Sequence, residues 1–202
     1  MDLSYREKFN IIVKKMYQVF TQNNLQLSVA VIAQTSENPA DYPRDLWKRI
    51  IGVYDYKTLA RHTDFISIIT YDDPGSNGPV APYAWLEKVA AHSATLIPPS
   101  KISFGIPFYY WKWNNTTGKR VGIGGHEGII QSFMKPFASG GYSPIEKTAF
   151  VTYLLNNDYY TVWYENAQSI KEKVNLAERN KFRGFSAWVL GLESPEIYKV
   201  LQ

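Results

Sequence analysis

Four short runs, each apolar and rich in β-branched or aromatic residues, recur along the chain with helical patterns between them. They are Leu27-Ser28-Val29-Ala30-Val31-Ile32-Ala33, Phe65-Ile66-Ser67-Ile68-Ile69-Thr70, Ile102-Ser103-Phe104-Gly105-Ile106 and Gly184-Phe185-Ser186-Ala187-Trp188-Val189-Leu190. Continuous apolar runs of this length suit strands buried on both faces. Strands that alternate with helices imply βαβ crossovers and a parallel sheet, so the expected fold class is α/β. Residues 4–24 predict a helix, because Tyr5, Phe9, Ile12, Val13, Met16, Val19 and Phe20 share one helical face. Ser4 suits its N-cap and Asn23-Asn24 its stop. Ala81–Leu96 and Ser169–Asn180 read as further helices. About eighty residues separate the third and fourth strands, far more than one crossover needs. A Gly-rich stretch over Gly118–Gly141 and a strand pattern at Tyr159–Tyr164 lie in that gap. A small α+β insertion before the last strand, about residues 112–168, accounts for the excess.

Composition excludes several functions. With 45% hydrophobic and 20% charged residues the chain reads as one soluble globular domain over residues 1–202. The net charge of +4 is scattered over helical patterns without a basic stripe, which argues against a nucleic-acid partner. Absence of cysteine removes disulfides and thiolate metal sites. His62, His92 and His126 fall in no metal-ligand spacing, so no metal and no cofactor is expected. The run Gly122–Gly128 resembles a phosphate loop only superficially, because Glu127 stands where a third glycine is needed. No nucleophile elbow is present. Asn114-Asn115-Thr116-Thr117 offers N-glycosylation patterns, which matter only in a eukaryotic secreted protein. The first residues lack the apolar core of a signal peptide, and no run approaches the ~20 apolar residues of a membrane span.

In a parallel barrel, chemistry sits at the C-terminal ends of the strands. Those ends carry Gln34-Thr35, Tyr71-Asp72-Asp73, Tyr109-Tyr110-Trp111 and Trp188. Flat aromatic rings pack on pyranose faces, and carboxylates with phenols bind hydroxyls and amides. Trp188 could equally be a core tryptophan, and Asp72-Asp73 a turn ahead of Pro74-Gly75.

Ile68-Ile69-Thr70-Tyr71-Asp72 resembles the sixth-strand motif of the family 18 glycoside hydrolases, with Ile69 at the approach where Met is frequent. Gly78-Pro79-Val80-Ala81-Pro82-Tyr83-Ala84-Trp85 is similar to the family segment that opens the following helix. Lys101–Tyr109 followed by Trp113 resembles its seventh strand. Val162–Ser169 and Gly184–Glu193 resemble its closing strands. These matches fall in order over nearly the whole chain and most resemble the chitinase-like and spore-peptidoglycan-lytic N-acetylglucosaminidase branch.

The resemblance implies the C-terminal half of a (β/α)8 barrel, about strands five to eight. It also implies a carbohydrate partner built on N-acetylglucosamine, chitin or peptidoglycan, and a secreted or cell-envelope location. Family members end their fourth strand in Asp-x-x-Asp-x-Asp-x-Glu, whose Glu is the general acid, while the substrate's own N-acetyl group attacks the anomeric carbon. This sequence contains no such run. Glu37, Glu87, Glu127 and Glu165 do not follow a strand in the required arrangement. By resemblance, Tyr71 and Asp72 would orient the acetamide in support of catalysis. Trp188 would form the sugar platform, and Tyr109 and Trp113 would line the cleft, with Gln34 and Tyr164 as further candidates. The expected activity is therefore that of the sugar-binding part of a glycosidase whose acid lies elsewhere. A non-catalytic, lectin-like protein and an interaction domain are the alternatives. Four strands from one half of a barrel leave open edges, so a complementing N-terminal half or a homo-oligomer is expected to cover them.

Overall fold

The computed structural model describes residues 2–201. They fall into two compact units. The first takes in the chain through Thr70, Glu87–Gly105 and Leu176–Ser186; the second takes in Tyr71–Leu86, Ile106–Asn175 and the chain from Ala187 on.

In the first unit, helix α1 (Arg6–Gln22) leads into strand β1 (Ser28–Ile32). Asp2, not Ser4, makes the first cap: its carboxylate accepts from Ser4 N at 2.9 Å and starts a 3-10 turn at Leu3–Tyr5, so α1 begins two residues later than predicted. The predicted stop holds, with Asn23 at the C-cap and Asn24 at a left-handed φ of 55°. Of the predicted apolar face only Val13 is buried; Ile12, Met16 and Val19 are exposed. A short α2 (Arg44–Leu46) continues into a π-helical turn at Trp47–Ile51, and α3 (Tyr56–Arg61) is capped by Asp55, which accepts from Thr58 N at 3.1 Å. Strand β2 (Phe65–Ile69) follows, and helix α4 (Tyr83–Leu96) leads to β3 (Ile102–Pro107).

β1 pairs with β2, and β2 with β3, all parallel, as the alternation of strands and helices predicts. The sheet is completed on the far side of β3 by Gly184–Trp188, the last strand of the chain. β3 is buried at every position, the pattern of a central parallel strand. β1 was expected to be buried on both faces, yet Val31 is its one fully buried residue. It lies at the sheet edge, paired with β2 alone among the described strands.

The second unit holds a five-stranded antiparallel sheet. Its strands are β4 (Tyr110–Asn114), β5 (Lys119–Gly124), β6 (Ser139–Ser143), β7 (Thr148–Leu155) and β8 (Asp158–Tyr164), in the order β5-β4-β8-β7-β6. Helix α5 (His126–Phe133) lies between β5 and β6; α6 (Ala167–Arg179) follows β8 and leads to β9 (Gly184–Trp188). One face of the sheet carries a cluster of Val151, Tyr153 and Val162. The glycines at Gly122–Gly128 serve packing here. A Cβ on Gly124 or Gly128 would come within 2.8 Å and 2.4 Å of the Tyr110 hydroxyl, so that side chain packs against bare backbone. No helix is long and apolar enough to cross a membrane among the described residues.

Candidate functional site

Where β2 ends, buried Thr70 donates its hydroxyl to the Gly105 carbonyl, tying the strand end to β3. Gly105 allows that approach: a Cβ there would lie 2.5 Å from Ile68 O and 2.9 Å from Thr70 N. The chain then turns sharply, and Asp72 adopts a left-handed φ of 59°, which Asp tolerates better than most residues.

That turn brings Asp72 beside Tyr109, whose hydroxyl donates to Asp72 Oδ1 at 2.7 Å. Tyr109 is buried and Asp72 exposed, so a ligand can reach the carboxylate while its partner stays enclosed. Burial first, and then the hydrogen bond to the Asp72 carboxylate, push the Tyr109 phenol far above its ordinary value. It stays a donor. Tyr71 packs edge-on against Tyr109 at 6.1 Å, and its own phenol is raised by burial and then by the Asp72 charge. Two protonated phenols therefore flank one carboxylate.

Val80, Tyr109 and Trp111 form a buried cluster against which Tyr71, Trp113 and Leu192 pack. Trp113 Nε1 donates to the Gly78 carbonyl at 2.7 Å, which fixes the indole and the segment that opens α4. Trp111 meets Trp113 edge-on at 6.0 Å and lies beneath the Arg120 guanidinium at 4.1 Å. The Trp111 indole N–H is buried without a hydrogen-bond partner, and such a group gains from any acceptor that reaches it.

Trp188 ends β9 with 57% of its surface exposed, so it is not a core residue. Its carbonyl accepts from Phe108 N at 2.7 Å, pinning it beside the residue that precedes Tyr109, and its peptide bond to Val189 is cis. The hydrogen bond from Phe108 N fixes the main chain from which the exposed indole projects, and such a ring offers a flat apolar face.

The two predicted aspartates divide their roles. Asp73 makes the turn, accepting from Gly75 N at 3.1 Å, while Asp72 faces Tyr109. Gln34 is 3% exposed, and its amide donates to the carbonyls of Ile51 and Tyr54, so that polar group holds a turn. Tyr164 packs with the Val151, Tyr153 and Val162 cluster rather than with Trp111 and Trp113. Tyr71, Asp72, Tyr109 and Trp113 are thus brought together, and Gln34 and Tyr164 are not among them.

The sequence pattern gives Arg120 no role and places Trp111 only at a strand end. A bulge between Lys112 and Trp113 shifts the pairing of β4 with β5, so counting alternate residues does not reveal that Arg120 covers Trp111. Among the described residues no group of three or more His, Asp or Glu side chains could hold a metal ion.

A family model, "Glycosyl hydrolases family 18", matches residues 3–193. The "Cortical fragment-lytic enzyme" of Bacillus subtilis (strain 168) is 28% identical over 97% of this chain and 46% of its own length. The chain spans about half the length of the curated relatives it matches. The crystal structure of the Bacillus megaterium QM B1551 spore cortex-lytic enzyme SleL aligns with TM-score 0.84 at 24% identity, over 100% of this chain and 46% of that one. The chitinase from Chromobacterium violaceum ATCC 12472 aligns with TM-score 0.82 at 24% identity, over 99% and 62%. A parallel α/β sheet whose second strand runs into the Tyr71-Asp72 turn, matched by the family model along almost its whole length, makes this chain a member of glycosyl hydrolase family 18.

Proposed function

We propose that this chain is the sugar-binding, C-terminal half of a family 18 barrel acting on polymers of N-acetylglucosamine, chitin or peptidoglycan. The observation that carries the reading is the Tyr109–Asp72 hydrogen bond with Tyr71 packed against it. Two phenols that remain protonated and one reachable carboxylate suit an acetamide: a phenol donates to its carbonyl and the carboxylate accepts from its N–H. The exposed indole of Trp188 supplies a flat platform for the ring. In this reading Tyr71 and Asp72 orient the substrate's N-acetyl group as internal nucleophile, while Tyr109 and Trp113 line the cleft.

The four parallel strands would be strands five to eight of the barrel, with residues 112–168 as an insertion. The uncovered side of β1, the exposed Ile12, Met16 and Val19 on α1, and the coverage of about half of each relative support that assignment. The general acid would come from a complementing N-terminal half bearing Asp-x-x-Asp-x-Asp-x-Glu. Glu165, the most buried glutamate considered for that role, has its carboxylate on Lys173 at 2.8 Å.

Hydrolysis tests the proposal. General-acid help contributes on the order of 10²–10⁴ in rate, so the chain alone should release no reducing ends from chitin oligomers or peptidoglycan above background. Mixing it with a half bearing the acid motif should restore turnover. Hydrolysis by the chain alone, abolished by substituting one of its own glutamates, would sink this reading.

A further inference from the structure

A groove of about 570 Å3 is lined by Trp163, Asn77, Ser76, Ser143, Asp73 and Glu146 among others, and by none of Tyr71, Asp72, Tyr109 or Trp188. Its volume is that of a small-ligand cleft, which runs about 300–1,000 Å3. One wall is the indole of Trp163, on β8, braced by the Phe150 ring at 5.1 Å and left partly exposed.

The facing loop is held in shape before any ligand arrives. Ser76 Oγ donates to Pro79 O at 2.6 Å and accepts from Gly78 N at 3.1 Å; Asp73 N donates to Val80 O at 3.2 Å; Trp113 Nε1 donates to Gly78 O. The Gly78 backbone lies beside the indole, since a Cβ there would meet Trp163 at 3.8 Å, an ordinary van der Waals contact. A fixed loop opposite a fixed ring lowers the ordering cost of binding.

The charge of the walls selects the occupant. The groove presents an amide from Asn77, hydroxyls from Ser76 and Ser143, and carboxylates from Asp73 and Glu146. No Lys, Arg or His lies among its lining residues. Lys147, next in sequence to Glu146, is taken by Glu172 at 2.9 Å and by the Tyr83 ring at 4.0 Å. The Glu146 carboxylate disfavours an anion and favours a neutral hydroxylated ring or an ammonium group, and an indole face suits the apolar side of a pyranose. We propose that this groove is an accessory saccharide site for a pyranose free of anionic substituents, neutral or bearing an ammonium group, and separate from the Tyr71–Asp72 cleft.

The test uses the full chain carrying Trp188→Ala, titrated with an N-acetylglucosamine tetramer, its de-N-acetylated counterpart and an oligogalacturonate, by calorimetry and saturation-transfer NMR. Both hexosamine tetramers should bind and the oligogalacturonate should not. Asn77→Ala or Glu146→Gln should raise Kd about three- to tenfold with melting unchanged, and Glu146→Gln should weaken the ammonium-bearing tetramer more. Trp163→Ala should raise Kd about tenfold or more while Trp163→Phe retains binding. Should Trp163→Ala unfold the chain, the Asn77 and Glu146 variants decide. The proposal falls if the Trp188→Ala chain binds neither tetramer, if the groove variants leave Kd unchanged, or if oligogalacturonate binds as well. Failure of the cleft reading shows separately, as binding by the unsubstituted chain that Trp188→Ala leaves untouched.

Discussion

Asp72 gains its place from two local features: a left-handed backbone that a β-branched residue would resist, and a buried phenol that cannot ionise in the working pH range. The carboxylate is therefore held by a donor of fixed direction, and a ligand meets a preset acceptor. Trp188 is the complementary case, an exposed ring on a main chain anchored through Phe108 N. Because Trp188 packs into no core, Trp188→Ala should leave circular dichroism and melting close to those of the parent. Lost stacking should cost the cleft on the order of 1–3 kcal/mol of oligosaccharide affinity. A Trp188→Ala chain that unfolds would overturn this account of the ring.

At the scale of elements, α6 is joined to the antiparallel sheet by an ion pair cut off from water. Lys173 Nζ meets Glu165 Oε2 at 2.8 Å, with side-chain exposures of 0% and 2%. Thr148 Oγ1, at 3.4 Å, also accepts from that ammonium. Neither charge can be removed alone without stranding the other. Lys173→Met should destabilise the fold by about 3–5 kcal/mol, while Lys173→Met with Glu165→Leu should recover most of that loss, because an apolar pair strands no charge. Urea denaturation of the two single variants and the double variant measures the cycle; a double-variant loss equal to the sum of the two single losses would mean that the pair is not coupled. In the sequence Glu165 is one of four glutamates that do not follow a strand in the arrangement the general acid requires. Its partner lies eight residues on, one helix away, and only the docking of α6 reveals that its charge is already engaged.

For the whole molecule, the proposed half-barrel predicts that the side of the first unit carrying α1 and β1 is left uncovered. Ile12, Met16 and Val19 lie exposed along one stripe of α1, and β1 has a neighbour on one side only. Such a surface is expected to associate. Sedimentation at rising concentration should show assembly of the chain alone, or of the chain with a complementing half. Ile12→Lys with Val19→Lys should shift the chain to monomer and block that complementation without altering its circular dichroism. A parent chain that stays monomeric at every concentration and gains nothing from a complementing half would remove this account of the stripe.

The sequence by itself determined the four strands of the first sheet and the main helices between them, because apolar runs of strand length and helical spacing are local patterns set by burial. The family followed from motifs standing in order along the same strands. Tertiary structure alone decided between the open readings of particular residues. Trp188 is a platform candidate rather than core because β9 ends there, and Asp73 makes the turn while Asp72 meets Tyr109. Gln34 is spent on the Ile51 and Tyr54 carbonyls, and Arg120 covers Trp111 across a bulge. Each of these outcomes depends on which distant backbone or side chain arrives beside the residue. Spacing along the chain carries the period of a strand or helix, but not the partner that a polar group finds once elements far apart in sequence have packed.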